Sequence, residues 1–154
     1  MASLSPASSW RDHSARNLAA MTRLNRILPV AVGVLAAYEL LLGLWMLFAP
    51  RSFYDQIAGF GAYPPHFIRD NATWQIALGA TLFAAVTKAS WRVPLLALAT
   101  LQGGLHSINH WIDVDNASTL GVGLFDAISL TVLTLVTAAM WRAAADVPER
   151  EAVP

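Results

Sequence analysis

Three ionisable side chains stand in stretches that are otherwise apolar: Glu39, His106 and Asp126. Gln102, His106, His110 and Asp113 recur at i, i+4, i+8 and i+11, which is one continuous stripe of a helix. His66 and Asp70 also stand four residues apart. Imidazole and carboxylate together are good ligands for Fe, Cu, Zn or Mn. Helical bundles build such sites from facing helices. Glu39, His106 and Asp126 are the expected core of a metal site, with His110, Asp70 or His66 completing it. Two histidines from different helices, for example His66 and His106, would serve a haem. His106 and His110 project from one helix face and cannot be its opposite axial ligands. Without a metal, the same groups can relay protons or knot the helices together by hydrogen bonds.

The elements that must hold these groups are read from the apolar runs. Residues 27–48 are long enough, at roughly 33 Å of helix, to cross a hydrocarbon core of about 30 Å. Further runs cover 68–87, 93–112 and 120–141. Pro29 and Pro94 fall in first turns, where a missing N–H does little harm. The links 88–92 and 113–119 are short, so the last three spans are antiparallel neighbours. The link 49–67 has room for a short interfacial helix near Arg51 to Ile57. The first run is longer than a signal-peptide core and lacks a clean cleavage site, so it reads as a retained span. The expected fold is all-α: an integral membrane four-helix bundle over residues 27–141. Residues 1–26 are expected to form a cytoplasmic arm, flexible or surface-lying over residues 1–22, and residues 142–154 a cytoplasmic tail.

Composition points the same way. The 154 residues are 56% hydrophobic and 13% charged, with mean hydropathy +0.48. Soluble domains carry about 25% charged residues, so much of this surface is expected to face lipid. Ten basic residues balance ten acidic ones, which gives no footprint for nucleic acid. The absence of cysteine excludes disulfides, thiolate metal sites and cysteine nucleophiles. There is no HExxH, phosphate loop or serine nucleophile elbow. Glycines and alanines recur in the runs, as helices packed closely in lipid require.

Basic residues set the orientation. Arg11, Arg16, Arg23, Arg26, Lys88, Arg92, Arg142 and Arg150 flank one side of the spans, and only Arg51 and Arg69 the other. Both ends are therefore expected inside a cell membrane that the chain crosses repeatedly. Depths follow from the boundaries. Glu39 lies roughly 13 Å from the outer end of its span, and His106 and Asp126 roughly 9 Å from the ends of theirs. On that reading the three share a layer. Lipid is hostile to each, so all three are expected to converge on the bundle axis.

The stretch Gly43 to Asp70 has Ala49-Pro50 after the first run, then Phe53-Tyr54, then His66-Phe67-Ile68-Arg69-Asp70. With the later His106-x-x-Asn109-His110, it resembles small bacterial four-helix membrane proteins of the broad DoxX-like kind. Many of these have no established activity. Some of the wider group are linked to quinone-coupled oxidation, so the resemblance implies a redox role, as a membrane oxidoreductase or a subunit of one. It supplies no catalytic residues. The expectation is a membrane protein with a His/carboxylate site for a transition metal or haem near the outer leaflet. Proton relay and a purely structural subunit are the alternatives. The partners expected are the lipid bilayer and either another membrane protein or a second copy of the chain.

Overall fold

The computed structural model describes residues 6–147. All regular structure among them is helical: α1 (Pro6–Phe48), α2 (Pro50–Gln56), α3 (Pro65–Thr87), α4 (Arg92–Ile112) and α5 (Leu120–Ala145). Single 3-10 turns, Ala89–Trp91 and Val114–Asn116, lead into and out of α4. Local chemistry sets the starts. Pro50 and Pro65 occupy first turns, with φ already helical and no N–H to satisfy. The Thr119 hydroxyl accepts the Val122 N–H at 3.3 Å and caps α5. Arg92 closes the end of α3 by donating to the Ala85 and Val86 carbonyls at 3.0 and 2.8 Å.

The short helix expected near Arg51 to Ile57 is present as α2. The N-terminal arm differs from expectation. Helix α1 begins at Pro6, so residues 6–26 are helical and continuous with the first apolar run. Pro29 consequently lies inside the helix, not in its first turn. Its φ is helix-compatible, and the cost of the missing hydrogen bond is offset by the packing of Leu28 and Val32 in the core on either side. Residues 1–5 and 148–154, including Arg150, lie outside the described part.

The long helices associate as two pairs. Helix α1 packs along α3, and α4 along α5, while the α3–α4 and α1–α5 contacts are much sparser. The α1–α3 crossing is close because Gly43 lies on Ile76 and Ala72, and Gly79 on Ala36 and Leu40. At the end near Lys88 all four long helices share a core built from Leu28, Val32, Ala36, Leu78, Leu82, Leu96, Ala99 and Ala144. At the opposite end the core is narrower. Met46, Phe53, Ile68 and Ala72 join only α1, α2 and α3.

The loops at that opposite end are tied together. Ser118 N–H donates to the Gly59 carbonyl at 2.8 Å, and Phe60 bridges to Ala117. The Tyr54 hydroxyl donates to the Gly61 carbonyl. Gly61 itself has φ +62°, a left-handed backbone that favours glycine. Arg51 lies over the Tyr63 and Tyr54 rings and pairs with Asp55 at 2.9 Å. That carboxylate, chiefly through its hydrogen bond, raises the guanidinium pKa.

Two helical segments, Arg26–Phe48 and Leu120–Ala145, are long and apolar enough to cross a membrane. Helices α3 and α4 fall short of that apolarity. The first carries Arg69, Asp70, Asn71 and Gln75, and the second Gln102, His106, Asn109 and His110.

Candidate functional site

Each candidate residue sits on a long helix, and the pairing of those helices fixes its level. Glu39 is on α1 and only 7% exposed; its neighbour Leu40 lies against Gly79 of α3. His106 is on α4, beside Gln102 and Asn109, in a groove of about 360 Å³ that it shares with Trp74 of α3. Gly79 is five residues from Trp74, so Glu39 lies roughly 7 Å deeper than Trp74. On the other pair, Ser107 and Thr131 exchange a hydrogen bond at 2.8 Å, which sets α4 against α5. Asp126, five residues before Thr131, lies roughly 7 Å further toward the loops. With Trp74 taken as level with His106, Glu39 and Asp126 are separated by roughly 15 Å along the bundle. The three groups form a staggered series and do not share the single layer read from the sequence.

Between them stands a pair of imidazoles. The His106 and His110 rings are 4.8 Å apart and nearly perpendicular. His110 is also met edge-on by Phe60 at 5.0 Å, so the 57–64 loop touches the outer end of the histidine stripe. The Nδ1 atom of His110 is buried and has no hydrogen-bond partner in the structure. The same holds for Asp126 Oδ2, on a residue only 6% exposed, and for Gln75 Oε1 on α3. Buried polar atoms are normally satisfied, so each of these is a position where a water, a proton or an ion would be stabilised.

Histidine 66 and Asp70 do meet, with Nε2 to Oδ2 at 3.4 Å, but they do so at the surface. Their side chains are 92% and 63% exposed. They are a solvated pair on the first turns of α3, apart from the buried groups. Asp113 ends α4 and accepts from Asn116 Nδ2 at 2.9 Å, so it orders the loop. Among the described residues, no three His, Asp or Glu side chains are close enough together to hold one metal ion. The structure thus brings together His106 with His110, and His66 with Asp70. Glu39 and Asp126 each stand apart.

The sequence reading missed the polar contact that locks α4 to α5. Thr131 Oγ1 meets Ser107 Oγ and accepts the Trp111 indole N–H at 3.0 Å. The signal was there. Ser107 and Trp111 are four apart on α4, and a hydroxyl in an apolar span tends to bond across helices. Phe60 carried no such signal, because nothing local ties a loop aromatic to a histidine fifty residues on.

Compared with protein-family models, curated proteins and solved structures, the chain matches none.

Proposed function

We propose that the chain is a multi-pass membrane protein that carries protons along its bundle, with both ends on the cytoplasmic side. Its surface supports insertion. The apolar stretches of α1 and α5 are only 33% and 22% buried within the protein, whereas the core helix of a soluble protein would be mostly buried. Val30, Val34, Leu41, Leu105, Phe125 and Leu135 are each 65% exposed or more. Side chains that large and apolar are accommodated by lipid. Helices α3 and α4 are long enough to cross with them and complete a four-helix bundle. The excess of basic residues flanking one side supports the orientation.

The staggering of the ionisable groups is the observation that carries the proton reading. Asp126 and His110 lie nearest the loops, His106 and Gln75 follow, and Glu39 is deepest. Several groups at successive depths suit a proton handed from one to the next, with waters on the unpartnered atoms between them. A single ion would need them gathered at one depth. The test is proton flux into vesicles that contain the full chain and a trapped pH dye. Flux above that of empty vesicles is expected, falling at least tenfold with Glu39→Gln. Vesicles no more permeable than empty ones would refute the reading.

A second reading rests on the His106–His110 pair. Two imidazoles four residues apart can both bind one Fe, Cu or Zn ion, with water or a residue of another chain completing the shell. Haem is less well served, because His66 is turned to Asp70 at the surface. Metal co-purifying with the wild type and lost in His106→Ala would favour this reading over proton transfer.

A further inference from the structure

Helix α4 presents two faces, and only one of them is covered. Toward α5 it offers Gly103, Ser107 and Trp111, which meet Thr134 and Thr131. The uncovered face carries Leu98, Leu101, Leu105, Ile108 and Ile112, which are 42%, 62%, 67%, 55% and 73% exposed. These residues step by three, four, three and four. That is the a/d spacing with which one helix packs knobs into the holes of another at a shallow left-handed angle. A purely apolar seam would be content in lipid, where no hydrophobic force drives helices together. This seam is not purely apolar. Gln102, His106 and Asn109 flank it, and His106 and Asn109 are exposed. An amide or imidazole left facing hydrocarbon is costly, and Gln and Asn side chains are effective glue between spans.

We propose that this face of α4 is the interface with a second copy of the chain, packed about a two-fold axis along the membrane normal. The inference rests on membrane insertion and not on proton transfer. Self-pairing fits for two reasons. Gln102 and Asn109 each donate and accept, so the strip is complementary to itself. Knobs and hole also lie side by side on one surface. Leu101 and Leu105 are exposed and also form the near wall of the groove of about 360 Å³ whose far wall is Trp74, so each copy offers both a knob and a hole that admits one. A patch that carries both halves of a contact is what a two-fold dimer requires. Two copies inserted in the same orientation run their α4 helices parallel, in register at each leucine.

The chain has no cysteine, so single introduced thiols report without background. Leu101→Cys and Leu105→Cys are made in the full chain, reconstituted at low protein-to-lipid ratio and oxidised with iodine. Val30→Cys and Val132→Cys, on other exposed faces, serve as controls. Disulfide-linked dimer is expected at positions 101 and 105 at tenfold or more the yield of the controls. Equal yields on all faces would overturn the proposal, as would dye-labelled wild type that photobleaches in single steps throughout. So would a seam shielded by bound lipid or by a different protein. Gln102→Leu, which keeps the apolar seam, is expected to weaken the dimer about fivefold by removing one polar contact per copy. A chain stripped from membranes by an alkaline wash would instead show that membrane insertion itself had failed. A monomer that stays inserted overturns only the dimer.

Discussion

Gly79 tests how closely the first pair of helices approaches. A methyl group added there would stand 2.7 Å from the Leu40 nitrogen, 2.9 Å from the Ala36 oxygen and 3.0 Å from the Leu40 Cα. All three are backbone atoms of α1, so nothing flexible can swing aside. Gly33, on the same helix pair, provides the reference. A methyl there meets only Val86 Cγ2, at an ordinary 3.6 Å. Alanine is the better helix former by about 1 kcal/mol at either position, and this term cancels between the two variants. What remains is overpacking, about 3 kcal/mol at the upper end because the obstacle is main chain. Gly33→Ala is thus expected to stabilise slightly and Gly79→Ala to destabilise by about 2 kcal/mol net. The gap of about 3 kcal/mol is a roughly hundredfold difference in unfolding equilibrium. Titration of the detergent-solubilised chain with dodecyl sulfate, followed by helical circular dichroism, measures it. If both variants unfold at the same dodecyl sulfate fraction, α1 and α3 do not cross at Gly79 and the pairing described above is wrong.

The contact between α4 and α5 is tested by Thr131→Val, which removes the partner of both Ser107 and Trp111. A loss of about 1 kcal/mol is expected in the same titration, since hydrogen bonds between spans average about 0.6 kcal/mol each. Arg92→Ala strips two charge-assisted bonds from the last turn of α3. It is expected to cost about 1.5 kcal/mol, half the low-end sum for two such bonds because interfacial water replaces part of each, and Arg92→Lys about half that. Asp126→Leu removes a buried oxygen that has no partner. It is expected to leave stability unchanged or raised by up to about 2 kcal/mol while abolishing proton flux. A marked loss of stability would mean that Asp126 is held by a bond and has a structural role.

The apolar runs made the helices legible, and their boundaries fall within a few residues of the sequence reading for α3, α4 and α5. Residues 6–26 misled because they carry several serines and no long apolar run. A helix is cooperative, however, and once the apolar run is nucleated it extends cheaply through a neighbouring segment that contains good helix formers. The candidate site was legible residue by residue but not as an arrangement. Distance from a span's end gave one depth for Glu39, His106 and Asp126. Their true levels depend on how the helices slide past one another, which close contacts such as Gly79 on Leu40 and Ser107 on Thr131 decide. Helix spacing alone found His106 beside His110 and His66 beside Asp70, because those pairs are local.

The pairing of α1 with α3, and of α4 with α5, has a consequence for biosynthesis. Each long helix finds its main partner in the next or preceding long one along the chain, so neither hairpin must wait for a distant segment. Once α3 has left the ribosome, the narrower core of Met46, Phe53, Ile68 and Ala72 is already complete within the nascent chain. The core near Lys88 closes only when Leu96, Ala99 and Ala144 arrive. Assembly can therefore proceed as two successive hairpins followed by a single docking event. A chain halted near residue 91 should retain the first hairpin with half of its packing exposed.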